Sequence, residues 1–454
     1  MQSGNGKKIG YVNSKAGRYY SGTVGAPSKE REIMLGNYIK LVADKLKRGI
    51  KVYLCPACME TIIFSKMLQR EYSVYPSGLC DNDVRKQGRY LNSIPEIKIL
   101  SFDEALKDDA EFLIISPHHS NAIMGNLVAE RGVPAEKIIN YQPLEKKKTC
   151  SLMAQNWIIE DRHFVCCCIE EYKPRFDHQH FDPAKGVASL DETRKKLVDG
   201  IDPMPEGCQT CFSNKECYIF KSRKLNSFDF SFRGWCNYKC EYCSSNKPDL
   251  KGYNDQFSLE QYLVELEKRD MINDIFSVLF AVGESCLNEK RFSLYDYCGE
   301  KQYFLDVFTN CSVFDKSLFE LAHKSPVIVR KSFDAGTAET YAKIKGVNCY
   351  EKMLENVRNY LQAPYLAVNP KYLFVPGIND NETDVRNFVQ MCVDLKIDFV
   401  TPVFSFLDSQ YFDSEHAKKM FKLLVDELAA NNIFTANVDT LYSESYHKTY
   451  SESF

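Results

Sequence analysis

Eleven of the chain's eighteen cysteines fall into four groups, and one group has a spacing that chemistry can use. In the run Arg233-Gly234-Trp235-Cys236-Asn237-Tyr238-Lys239-Cys240-Glu241-Tyr242-Cys243, three residues separate the first two cysteines and two separate the last pair. Three thiolates on one loop can hold three irons of a 4Fe-4S cluster, and the missing fourth protein ligand leaves one iron open to a small molecule. A zinc knuckle with a distant fourth ligand is the other metal use of such a loop. Plain burial fits poorly, because Arg, Asn, Lys and Glu flank or interleave the thiols.

A second concentration lies upstream. Cys166, Cys167 and Cys168 precede a charged, helix-like segment, SLDETRKKLVDG, which leads to Cys208, Cys211 and then Cys217. In a stretch too polar to fold unaided, that spacing reads as a module stapled by zinc or by an iron-sulfur cluster. His178 and His180 are alternative ligands or surface loop residues. The pair Cys55 and Cys58, at a helix start, is open between redox chemistry, metal binding and burial. The remaining single cysteines sit beside apolar runs and read as small buried hydrophobes.

The elements that must position these groups follow from periodicity. Residues 49–144 alternate short β-rich runs (KVYLC, EIKIL, EFLIIS, KIINY) with helical ones, a βαβ rhythm that predicts a parallel, Rossmann-like sheet. No GxGxxG follows its first strand, which argues against dinucleotide binding. Asp81 closes the second strand as a holder of a ribose hydroxyl or as a turn residue, and His118 and His119 stand at the switch-point crevice as substrate contacts or loop residues. From Lys224 onward six strand candidates appear, at 227–232, 276–282, 302–308, 326–333, 366–375 and 398–406. Helical patterns accompany them at 255–270, 286–299, 315–323, 350–362, 382–395 and 413–431, so the reading is a partial (β/α)6 barrel with its ligand site at the C-terminal strand ends. The expected division is an α/β domain at 1–147, a Cys-rich module at 148–222 and the barrel at 223–454.

Composition narrows the function classes. With 58 Lys plus Arg against 61 Asp plus Glu, the net charge of -3 provides no basic field for nucleic acid, which is disfavoured as a partner. No run of about eighteen apolar residues marks a membrane span, and no apolar run follows the charged start, so the expectation is a cytoplasmic protein without a membrane partner.

The loop at Cys236, with the aromatic Tyr242 before its last cysteine, resembles the signature of the radical S-adenosylmethionine (SAM) superfamily. The resemblance runs from about Phe228 to Phe406, with later motifs in order. Ala281-Val282-Gly283-Glu284-Ser285 is similar to the family's GGEP segment, which implies that Gly283 and Glu284 bind the ammonium of SAM. Thr309-Asn310-Cys311 resembles a Thr-Asn-Gly segment that lines the SAM site. Ser332-Phe333-Asp334-Ala335-Gly336, with TAETYAKIKG after it, looks like a run found in members with additional clusters, and implies that Ser332 touches SAM. YLFVPGIND implies that Asn379 is either a ribose contact or a turn residue. The upstream layout is similar to SPASM or twitch auxiliary modules, which implies a second 4Fe-4S cluster on Cys208, Cys211, Cys217 and one of Cys166 to Cys168, with Cys167 taken as the fourth. The turn at Asp81 resembles that of Rossmann-like domains found beside sugar-modifying and acyl-transferring enzymes of glycan pathways.

The activity these resemblances imply is reductive cleavage of SAM to a 5′-deoxyadenosyl radical, followed by hydrogen abstraction from a carbohydrate, a nucleotide-sugar or a peptide. A flavodoxin- or ferredoxin-type protein would then be the electron donor. The alternative is a zinc-stapled scaffold or binding protein in which every cysteine group is structural.

Overall fold

The computed structural model describes residues 34–150, 156–160, 163–165, 182–201, 214–232, 235–243, 258–404, 411 and 414–435. It opens with α1 (Met34–Lys47), β1 (Val52–Cys55), α2 (Met59–Tyr72), β2 (Gly78–Cys80), β3 (Ile99–Leu100), α3 (Phe102–Ala105), β4 (Glu111–Ile114) and α4 (Ser120–Gly125). The four strands form a parallel sheet in the order β3-β2-β1-β4, as βαβ connections require. The run KIINY, expected as a strand, makes only a single bridge from Ile138 to Phe112, and a short 3-10 turn occupies Ala135–Lys137. α4 ends at Gly125 and the chain continues as one π turn over Asn126–Glu130.

Next come β5 (Leu144–Cys150), β6 (Asn156–Glu160), β7 (His163–Val165), α5 (Pro183–Val198) and β8 (Asn214–Phe220). This stretch departs from the expectation of a segment without a core. β6 pairs parallel with the first barrel strand, while β5 and β8 form an antiparallel ribbon. α5 starts on an Asp182 cap with Pro183 behind it and buries Val187, Leu190 and Leu197 in the main core. Its buried Arg194 donates to the carbonyl oxygens of Ser222, Arg223 and Lys224. Ordinary packing and one guanidinium therefore hold the described part of this stretch. Regular apolar spacing in α5 was hidden by its Lys, Asp and Glu content.

The remaining elements are β9 (Leu225–Phe232), α6 (Glu260–Lys268), β10 (Ile272–Val282), α7 (Arg291–Lys301), β11 (Phe304–Phe308), α8 (Lys316–Leu321), β12 (Val327–Ser332) and α9 (Ala338–Lys345). They are followed by α10 (Tyr350–Tyr360), β13 (Leu366–Phe374), α11 (Glu382–Asp394), β14 (Phe399–Phe404), α12 (Glu415–Ala430) and β15 (Phe434–Thr435). β9 to β15 are parallel and consecutive, and β6 and β7 extend the sheet beyond β9 to nine strands. All six expected strands are present. One expected helix, at 286–299, is broken into a 3-10 turn at Ser285–Leu287 and α7. No helix among the described residues is long and apolar enough to cross a membrane.

Alternation along the barrel strands decides which surface covers each face. Leu305 and Val307, Val327 and Val329, and Leu366 and Val368 pack toward the helices in one cluster. Their neighbours Phe304, Ile328 and Ala367 face inward, and there they join Ile62, Ile63, Met67 and Leu113 of the Rossmann-like layer. α2 is consequently buried almost all round along its first two turns, between its own sheet and the inner face of the barrel. Polar contacts pin the same junction near the N-terminal ends of the barrel strands: Tyr38 to Asp274 at 3.1 Å, Tyr365 to Glu71 at 3.1 Å, and Asn92 to the Ile397 carbonyl at 3.1 Å. The two layers share one apolar core. Ile328→Ala should therefore destabilise both together by about 2–5 kcal/mol, seen as one shifted calorimetric transition, whereas two separated transitions would show that the layers fold apart.

Candidate functional site

The cysteine loop leaves β9 and leans on the end of α9. Lys239 N donates to the Lys345 carbonyl at 3.2 Å, and Glu241 N donates to that of Ile344 at 3.0 Å. α9 stops there at Gly346, whose φ of +69° is left-handed; a Cβ at this position would meet the Lys239 oxygen at 2.9 Å. Beneath the loop the hydroxyls of Tyr238 and Tyr341 share a buried hydrogen bond of 3.0 Å. Cys236, Cys240 and Cys243 are all partly exposed. Cys236 Sγ accepts from Tyr238 N at 3.4 Å and lies 3.8 Å from the Asn310 amide nitrogen. Burial raises the Cys236 and Cys240 thiols above their ordinary range, and the ammonium groups of Lys345 and Lys331 oppose that rise at Cys240. Among the described residues no three His, Cys, Asp or Glu side chains gather as a single metal ion needs. Three accessible thiols on one loop, with N–H donors and two ammonium groups close by, fit a cluster held through three corners.

The rim beside the loop is built from strand ends. Gly283 follows β10 with φ +55°, and Cys311, after β11, adopts φ +54° despite its side chain. Glu284 is 2% exposed, and its carboxylate accepts from Thr309 Oγ1, from Asn310 N at 2.6 Å and from Cys286 N at 3.3 Å. All three donors are neutral, and burial raises the Glu284 carboxyl. A buried carboxylate so held favours a cation in front of it. Thr309 also accepts from Cys311 N at 3.0 Å, so its hydroxyl braces Glu284. Asn310 couples rim and loop, because its amide donates to Asn237 Oδ1 at 2.7 Å.

Asp334, just past β12, centres a polar knot that sequence reasoning passed over. Its Oδ2 accepts from Tyr242 Oη at 2.6 Å and from the Lys345 ammonium, and its Oδ1 accepts from Leu373 N at 2.8 Å. Lys345 donates also to Tyr242 Oη at 2.7 Å. Burial pushes the Asp334 carboxyl upward, but Lys345 and Tyr242 outweigh it and hold the group below its ordinary value. Burial and the Asp334 charge raise Tyr242 well above its own. Ser332 stands at the end of β12 against Tyr242. Lys331, next to it, is pushed down to about 8 by burial and by Lys345, and lies 5.2 Å from the Tyr341 ring centre. No local signal marks Lys345, which reads as one more cation in the last turn of α9.

Asn379, expected as a ribose contact or a turn residue, is fully buried, and its amide is spent on the backbone. It accepts from Val375 N at 2.6 Å and donates to the oxygens of Leu373 and Asp334 at 2.7 and 2.8 Å. It shapes the turn after β13. Cys208, Cys211 and Cys166 to Cys168, with His178 and His180, lie outside the described residues. Cys217 lies on β8, partly buried, with its thiol 3.8 Å from the Thr149 carbonyl.

A cavity of about 590 Å³ opens between the two sheets. One wall comes from the turns after β1, β2 and β4 and carries Cys58, Asp81, Lys86 and His118; the other is the inner barrel face, with Arg330, Asn369 and Thr401. Thr401 is in register with Lys371, and Lys371 with Ser332, so the cavity wall reaches the level of the rim. Asp81 on this wall accepts from Lys86 Nζ at 2.8 Å and from Ala57 N at 3.1 Å. Burial, with His119 and Arg330 nearby, pushes His118 down to about 3, so the imidazole is neutral. Burial likewise raises the Cys55 and Cys58 thiols well above their ordinary value, and the Cys58 thiol donates to the Ile115 carbonyl at 3.3 Å. Cys55 is thus an ordinary buried thiol, while Cys58 is partly exposed at the cavity wall.

Comparison with known proteins gives several likenesses and a family match. GTP 3′,8-cyclase of Clostridium acetobutylicum is 24% identical over 181 residues, which are 39% of this chain and 55% of that protein. The chain thus spans about half the length of this relative. Streptococcus suis SuiB bound to S-adenosylmethionine is similar at 14% identity and a TM-score of 0.41, over 60% of each chain. Native anSMEcpe with bound AdoMet is similar at 18% identity and a TM-score of 0.39, over 47% of this chain and 64% of that one. Residues 230–389, from the end of β9 through the cysteine loop to α11, match the family described as Radical SAM superfamily. The cysteine loop and the strand-end rim thus lie within a stretch, about a third of the chain, that matches the radical SAM superfamily.

Proposed function

We propose that this chain is a radical SAM enzyme that abstracts a hydrogen atom from a small polar substrate held in the cavity between the Rossmann-like layer and the barrel. The observation that carries the reading is the direct coupling of three parts. The cysteine loop bonds through Asn310 to the Glu284 carboxylate, and the rim at Ser332 is in register with the cavity wall at Thr401. Cys236, Cys240 and Cys243 would hold a 4Fe-4S cluster, with SAM at its open corner. When bound, and with one electron from a flavodoxin- or ferredoxin-type donor, these would supply one-electron cleavage of the sulfonium bond to methionine and a 5′-deoxyadenosyl radical.

The chain's own residues do the positioning. Glu284 offers its buried charge to the SAM ammonium, Gly283 gives the turn that lets backbone approach, and Thr309 and Asn310 fix the carboxylate. The Asp334 and Lys345 pair holds the Tyr242 ring against the loop and so positions the last cysteine. α2 closes the inner face below the cavity, which keeps water from the reacting centre. A second cluster on Cys208, Cys211, Cys217 and Cys167 is part of the proposal on spacing alone.

Anaerobically reconstituted protein with dithionite and SAM should form 5′-deoxyadenosine, and Cys236→Ala should form none; iron-loaded wild-type protein that makes none would sink the reading in favour of a zinc scaffold. Iron content should be about eight per chain, falling to about four in Cys208→Ala/Cys211→Ala, whereas four in the wild type would remove the second cluster. Glu284→Gln should weaken SAM binding roughly 10- to 100-fold in calorimetry, as loss of a charged hydrogen-bond partner costs about 1.5–3 kcal/mol; unchanged affinity would move the ammonium site elsewhere. Lys345→Met leaves the buried Asp334 charge unpaired and should cost about 3–5 kcal/mol in urea unfolding, against about 1 kcal/mol for Tyr242→Phe.

A further inference from the structure

We propose that the cavity between the two sheets recognises an uncharged, hydroxyl-rich group of the sugar type, an inference that rests on the reading of this cavity as the substrate site. Its volume of about 590 Å³ suits a small-molecule ligand. Among the described residues three cations line it, and each has a carboxylate partner. Lys86 pairs with Asp81 at 2.8 Å, Arg85 with Asp83 at 2.8 Å, and Arg330 with Asp306 at 2.6 Å. A further buried carboxylate, Glu60, stands on the wall near Arg330, while His118 is neutral. Among the described lining residues no surplus of positive charge is left to attract a phosphate.

The pairing does more than cancel charge. On the wall the Lys86–Asp81 and Arg85–Asp83 pairs each set an N–H donor beside a carboxylate acceptor, and on the barrel face the Thr401 hydroxyl lies 3.2 Å from the Asn369 amide. A hydroxyl group donates and accepts at one oxygen, so it meets such a side-by-side pair with both functions. A phosphate only accepts, and an ammonium only donates. A peptide unit carries its donor and acceptor on opposite sides and spans the pairs less well. The chemistry of the lining therefore selects vicinal hydroxyls on a compact, neutral frame.

The experiment is equilibrium binding to the reconstituted full chain without reductant, so that no turnover occurs. Methyl α-D-glucopyranoside, N-acetylglucosamine and myo-inositol are the uncharged probes; pyrophosphate and tetraglycine are the anionic and peptide probes. At least one uncharged probe should raise the unfolding temperature and titrate in calorimetry, with binding weakened tenfold or more in Thr401→Val and in Asn369→Ala. Asp81→Asn should do the same, and the Thr401 variant carries the test if loss of the Ala57 contact unfolds that protein. Binding of pyrophosphate or tetraglycine through these residues, or of none of the uncharged probes, overturns the proposal. 5′-Deoxyadenosine formation by the same preparation separates the outcomes: if it persists while sugars fail to bind, only the ligand class is wrong.

Discussion

A parallel sheet exposes two faces, and both must be covered by something apolar. In this protein the outer face is covered by the barrel's own helices, and the inner face by α2 of the Rossmann-like layer, whose side chains meet Phe304, Ile328 and Ala367. Much else follows from that contact. It turns the C-terminal strand ends of the small sheet toward the inner barrel wall, so two crevices that α/β folds use for ligands become the walls of one cavity. A chain in which the layers were joined only by a linker would have two half-sites in place of this one.

Several polar groups close to the cysteine loop and the cavity are organised around buried charges that have partners of their own. Glu284 is bound by three neutral donors, Asp334 by an ammonium, a phenol and a backbone N–H, and Arg330 by Asp306. Each arrangement has a different consequence. The first leaves net negative charge for a cation, the second fixes a ring beside the cysteine loop, and the third neutralises a cation on the cavity wall. The cost of desolvating an unpaired ion is large enough that these pairings constrain which side chains can turn toward a ligand.

The described part of the stretch between the two layers is held differently from what its composition implied. Its polar sequence argued for metal, yet α5 buries an apolar stripe, Arg194 gathers three carbonyls, and β6 extends the barrel sheet. A helix needs only a few apolar residues on one face when a large neighbour supplies the rest of the core, and average polarity conceals that stripe.

What the sequence determined by itself is local. Period-two apolar runs specified β9 to β14 within a few residues, and the three-then-two spacing placed three thiols on one loop, because each depends on contacts between near neighbours in the chain. Glu284, Thr309 and Asn310 were legible as strand-end residues for the same reason. The role of Asn379 was not: only the fold shows its amide consumed by three backbone partners. Tyr242 meets Asp334 across 92 residues, and Lys345 meets Tyr242 across 103. Arg330 comes to face Glu60 and Asp81 across a cavity only once α2 has docked. Such pairings depend on how sheets stack, and no pattern within a single segment carries that information.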